Sequence, residues 1–157
     1  MANLHVYELV SPGSYEVISE DGALTNPVTS THDGKVGETT EMKLYVGGDD
    51  NTKTYTNIRV SAMSTAGALV EIASVDHAAG GSGRGTSGWG VKLLVDPGYD
   101  PKESDWAINY GMTIDIADIT ASAATTKRPF WFRIESPAGI RVENKTSISL
   151  ILQFVEA

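Results

Sequence analysis

Apolar residues recur at every second position along much of the chain. In Thr40–Val46, Met42, Leu44 and Val46 share one side while Glu41, Lys43 and Tyr45 share the other. A period of two is the mark of a half-buried strand. Ile58, Val60 and Ala62 alternate with Arg59 and Ser61, and Val91, Leu93 and Val95 with Lys92 and Leu94. Met112, Ile114 and Ile116 alternate with Thr113, Asp115 and Ala117. Phe130, Phe132 and Ile134 alternate with Trp131, Arg133 and Glu135, which turns Trp131 away from its two aromatic neighbours. Ile148, Leu150, Leu152 and Phe154 form the last such row. Leu69–Ala73, Leu4–Val10 and Tyr15–Ser19 are further predicted strands, the last two split by Ser11-Pro12-Gly13.

Turn residues punctuate these runs: Gly47-Gly48-Asp49-Asp50, Asp96-Pro97-Gly98 and Ser136-Pro137-Ala138-Gly139. Many short strands at near-regular spacing predict a sandwich or a barrel. No segment carries the apolar stripe of a helix, although the Ala-rich Thr120–Thr126 has room for one turn. Ala78–Gly88 is Gly-rich and predicts a loop between strands. Residues 1–22 form an N-terminal arm ahead of the main domain, residues 23–157. Pairing of the arm with its own sheet is expected over pairing with a neighbour, because an exposed strand edge is a liability.

Composition narrows the function classes. With 157 residues the chain suits a single domain, and its 16 Gly and 6 Pro lie mostly between the apolar runs, as turns require. A net charge of −8 opposes phosphate, so neither nucleic acid nor an anionic membrane is an expected partner. With no cysteine, disulfides and thiolate chemistry are absent, which fits folding in a reducing cytoplasm. The first residues, Met1–Val6, lack a signal-peptide pattern, and the apolar stretch Ile148–Val155 is too short to span a bilayer.

Two stretches carry a resemblance. From Gly88-Trp89 onward, a strand at Val91–Val95, a short strand at Met112–Ile119, and Phe130–Glu135 closed by Ser136-Pro137-Ala138-Gly139 precede a long final strand, Ser147–Val155. This order resembles the C-terminal strands of immunoglobulin-like modules and implies an all-β, immunoglobulin-like sandwich with an N-terminal arm. Lys43–Asp50 followed by Tyr55-Thr56-Asn57-Ile58, together with the closing Asn144-Lys145-Thr146, resembles tailed-bacteriophage virion accessory proteins, either capsid decoration or tail-associated. That resemblance implies a virion structural protein, assembled in the host cytoplasm. Its partners would be the major capsid protein or other virion proteins, with a homo-oligomer also open. It brings no catalytic residue with it.

Candidate chemistry is sparse. Gly83-Arg84-Gly85-Thr86-Ser87-Gly88 matches G-x-G-x-x-G, but a strand pattern follows it where a nucleotide site needs a helix. His5, His32 and His77 have no helical i, i+4 partner, so no metal site is expected. Asp96–Asp105 gathers four acids without EF-hand spacing and is expected to be a solvated loop. No G-x-S-x-G elbow and no obvious carboxylate couple is present, and no cofactor or enzymatic role is expected.

The expected function is a capsid decoration (cement) protein that binds the outer shell and stabilises it. A tail or baseplate accessory subunit is the alternative within that class, and a carbohydrate-binding module the alternative outside it. The contact residues expected are Leu4, Val6 and Tyr7 in the arm, Arg84 in the Gly-rich loop and Trp131 on the sheet surface. An exposed Trp is a common interface anchor.

Overall fold

In a computed structural model of the chain, residues 4–18, 28–32, 39–64, 75–76, 83–84, 90–108, 113–120, 126–135 and 143–157 are described. The strands are β1 (Leu4–Ser11), β2 (Ser14–Val17), β3 (Val28–His32), β4 (Thr39–Gly48), β5 (Tyr55–Ser64), β6 (Val75–Asp76), β7 (Gly83–Arg84), β8 (Gly90–Val95), β9 (Thr113–Ile116), β10 (Arg128–Glu135) and β11 (Glu143–Glu156). A short helix, α1, covers Glu103–Ile108.

Among the described residues, one sheet has five strands in the order β2-β1-β4-β10-β8, and a second has four in the order β3-β11-β5-β9. All the pairings in both sheets are antiparallel. β6 and β7 make a separate two-stranded pair. From β8 onward the chain crosses between the two main sheets at each successive strand.

The alternation in sequence becomes the inner faces. Leu4 and Val6 (β1), Leu44 and Val46 (β4), Leu93 (β8), and Phe130, Phe132 and Ile134 (β10) line the first sheet. They meet Ile58 and Val60 (β5), Ile116 (β9) and Leu150 (β11) from the second in one core. Such burial is the main stabilising contribution, at about 25 cal/mol per Å² of apolar surface.

Besides Val95 at the end of β8, which alternation turned inward and which is 47% exposed, two local features depart from plain alternation. Tyr55 and Ile58 are both buried although they lie three apart. Between them Asn57 has φ 51°, and the β11 register slips between Gln153 and Val155. Two residues of β5 thus oppose one of β11, a β-bulge that resets which face points inward. At the β1–β2 hairpin, Pro12 and Gly13 form the turn, and Gly13 takes the φ of 77° that the third position of a type II turn demands.

α1 has no counterpart in the sequence pattern. Asp105 accepts a hydrogen bond from the Lys102 backbone N–H at 2.8 Å, which caps the first turn. Six residues are too few to show a 3.6-residue period, so the helix was invisible to periodicity. The predicted strand Leu69–Ala73, the turn Ser136–Gly139 and most of Ala78–Gly88 and Thr120–Thr126 lie outside the described residues.

Candidate interaction surface

The two outer faces differ in kind. On the second sheet the outward residues are largely polar. Arg59 pairs with Asp115 at 3.2 Å, and the Ser61 and Thr113 hydroxyls hydrogen-bond at 2.9 Å. On the first sheet alternation turns aromatic residues outward: Tyr7 from β1, Tyr15 from β2, Tyr45 from β4 and Trp131 from β10. Register sets Tyr7 opposite Tyr45 and Trp131 opposite Lys43.

Their geometry is edge to face. Ring centroids lie 6.2 Å apart for Tyr7 and Tyr15 and 5.4 Å for Tyr15 and Tyr45, with planes at 76° and 82°. Such pairs add stability beyond the area they bury. Two ammonium groups sit over the rings. Lys43 lies 6.0 Å from the Tyr45 centroid and 5.7 Å from that of Trp131. Lys127 lies 4.5 Å from the centroid of Tyr7 and 5.4 Å from that of Tyr15. The Lys127 stem crosses Gly47, where a Cβ would come within 2.5 Å of its Cδ. Glycine at that position leaves the lysine room to lie down.

Toward β8 the same face is covered. Phe132 and Ile134 point into the core, so Arg133 between them points out, yet it is buried. α1 lies over it. Glu103 accepts two hydrogen bonds from Arg133, from Nη1 at 2.9 Å and Nη2 at 3.2 Å. The Trp106 ring, fully buried, lies 5.6 Å from the guanidinium carbon. Lys92 and Leu94 of β8 are buried on this side as well, which is why that strand is covered on both faces.

Where β8 and β9 end and β10 begins, a cleft of about 200 Å³ opens. Val95, Ile116, Ala117 and Pro129 give it apolar walls, and Asp96, Lys127 and Arg128 give it charge. Asp96 Oδ1 accepts a hydrogen bond from Trp131 Nε1 at 2.9 Å, and Arg128 Nη2 donates to the Asp118 carbonyl at 2.8 Å. Lys127 belongs both to the cleft and to the aromatic face, so the two are continuous.

The five residues expected to make contacts fall in different places. Leu4 and Val6 fill the chain's own core, at 1% and 0% exposure. β1 pairs with β4 as well as β2, so this part of the arm belongs to the first sheet. Tyr7 and Trp131 stand together on the outer face, both half-buried. Arg84 lies in β7, whose backbone alone is described. Periodicity missed Tyr15, Tyr45, Lys43 and Lys127. A usable signal existed for the first three, since each occupies an outward position of a recognised strand, but only register brings them side by side.

Three of the four acids of Asp96–Asp105 hold other groups of the fold. Asp96 holds Trp131, Asp105 caps α1 and also accepts from Tyr99 at 3.0 Å, and Glu103 holds Arg133. The hydrogen bond to Asp105 raises the pKa of Tyr99. Among the described residues no group of three metal-ligating side chains converges. No helix among them is long and apolar enough to cross a membrane. The segment after Gly83-Arg84 leads into the strand β8. No known protein family, curated protein or solved structure matches the chain.

Proposed function

We propose that the chain is a non-catalytic binding subunit of a larger assembly, an immunoglobulin-like sandwich that decorates the outer shell of a tailed-bacteriophage capsid. The observation that carries the binding role is the asymmetry of the two outer faces. One is largely polar, with Arg59, Thr113, Asp115 and Gln153 beside the half-buried Ile151 and the exposed Val155. The other presents aromatic residues and continues into the β1–β2 hairpin, where Leu9, Val10, Tyr15 and Val17 are 42%, 53%, 38% and 41% exposed. Tyrosine and tryptophan are enriched at protein interfaces, and contiguous exposed apolar residues mark interaction sites. The virion setting rests on the resemblance of Lys43–Asp50 and Asn144–Thr146 to phage accessory proteins. The immunoglobulin-like reading is supported by strands that cross between two antiparallel sheets around one core.

A carbohydrate platform fits less well. Sugars stack their C–H faces on open ring faces, whereas here lysine ammonium groups lie over Tyr7, Tyr15, Tyr45 and Trp131. The deciding experiment is co-sedimentation of the purified chain with capsids lacking it. Saturable binding at many copies per particle is expected. Binding to isolated tails and not to capsids would shift the assignment to a tail accessory subunit, and binding to neither would end the virion reading.

A further inference from the structure

We infer that the β1–β2 hairpin is a two-sided plug, whose inner side takes a lysine or arginine of a protein partner between Glu8 and Glu16. This rests on the reading of the chain as a binding subunit of a virion, and it names the chemistry the hairpin meets there. Alternation gives the hairpin two unlike sides. Tyr7, Leu9, Tyr15 and Val17 share the outer one, with Tyr7 opposite Val17 and Leu9 opposite Tyr15. The inner side begins in the core, where Val6 and Ile18 are buried and the Ile18 N–H donates to the Val6 carbonyl at 3.0 Å. One step further along, the core has ended. Glu8 and Glu16 stand directly opposite each other there, and both are exposed.

Among the described residues no basic side chain forms an ion pair with either glutamate. Lys43 and Lys127 lie over the rings of the opposite, outer side. Like charges directly opposite in a sheet are destabilising, so a cation from outside replaces one repulsion with two attractions. Charge then selects the occupant. A second copy of the chain would bring two more glutamates and a further net charge of −8, and like-charge juxtaposition disfavours such a contact. Calcium takes about six to eight oxygen ligands. The pair has no third acid to help supply them, since no group of three metal-ligating side chains converges among the described residues. A lysine or arginine needs only the two carboxylates. The exposed Leu9, Tyr15 and Val17 lie on the other side of the same ribbon, so the partner offers a slot with one basic wall and one apolar wall.

The test is binding of the purified full chain to capsids lacking it, and to isolated tails, at several salt concentrations. Urea unfolding of each variant runs beside it. Glu8→Gln combined with Glu16→Gln is expected to weaken binding by about tenfold and to flatten its salt dependence. Glu8→Lys is expected to weaken binding further, while raising the unfolding midpoint of the isolated chain by placing opposite charges across the ribbon. If the pair acted only through hairpin stability, Glu8→Lys would bind better. Asp100→Asn with Asp118→Asn removes the same charge from exposed positions elsewhere and is expected to leave binding unchanged. Wild-type binding that the Glu8 and Glu16 variants leave unchanged, or that the Asp100 and Asp118 control weakens equally, overturns this inference and leaves the virion reading standing. No binding of the wild-type chain to either particle overturns both.

Discussion

Asn57 holds the backbone in the left-handed region at φ 51°, in a strand where its neighbours are extended. Asparagine tolerates this conformation better than branched residues do, and glycine better still. Asn57→Gly is therefore expected to fold with little change in stability, while Asn57→Val is expected to lose about 1–2 kcal/mol, both measured by urea unfolding. The bulge it forms also puts Tyr55 inside, where its ring meets Phe154 at a centroid distance of 5.8 Å. Burial raises the pKa of the Tyr55 hydroxyl, with the Glu156 carboxylate adding to the shift. The neutral form is favoured in the fold, so this stability is fully present below about pH 10, where an unfolded tyrosine titrates. It is lost as pH rises through the higher folded value. Tyr55→Phe is expected to flatten the decline in stability on the alkaline side, as read from unfolding midpoints between neutral and strongly alkaline pH. In the core proper, Phe132 is fully buried, and Phe132→Ala is expected to cost about 3–5 kcal/mol.

At the scale of elements, α1 is short enough that its stability depends on what it covers. Trp106 seals the outer side of β8 and β10, and Glu103 meets the buried Arg133. Glu103 is itself 78% exposed, and Glu41 also faces Arg133 at 3.8 Å. Solvent screening reduces the effect of losing one such partner, so Glu103→Gln is expected to cost about 1 kcal/mol or less. Trp106→Ala removes a fully buried ring beside Arg133 and is expected to cost about 3–5 kcal/mol. Hydrogen exchange checks the assignment to this element. Amides of β8 should lose protection in Trp106→Ala, while those of β5 and β11 should change far less. The β1–β2 hairpin differs from α1 in that its outer half has little to cover it. Glu8 and Glu16 lie directly opposite each other there, a like-charge pair that weakens an isolated ribbon. The hairpin is anchored instead through Leu4 and Val6 in the core and the ladder from β1 to β4.

For the whole molecule, the division of labour between the two sheets suggests which side meets a partner. Leu9→Ser combined with Val17→Ser alters side chains that are 42% and 41% exposed, so the isolated domain should keep its unfolding midpoint. Its copy number on capsids is expected to fall. Unchanged binding in the sedimentation assay would direct attention away from the hairpin. Arg59→Ala with Asp115→Ala on the polar outer face is the matched control and is expected to leave binding unchanged, because exposed ion pairs contribute little.

The sequence alone determined most of the longer strands and, for β4, β5 and β10, which side faces inward, because burial against a sheet repeats every two residues, but not β3, β6 or β7, which carry no such apolar row. Met42–Val46, Ile58–Val60 and Phe130–Ile134 all keep the faces their alternation predicted, as far as their side chains are described. The turn at Pro12-Gly13 was legible for the same reason, since its chemistry is local. Tertiary structure decided the rest. Tyr7, Tyr15 and Tyr45 become neighbours only through the register of β2, β1 and β4, and Lys127 reaches them across Gly47 from the start of β10. Arg133 was an outward residue by alternation and is buried because α1, whose Glu103 lies 30 residues earlier in the chain, folds over it. Long-range pairing brings these groups together, and no local period records which distant strand a given strand will meet.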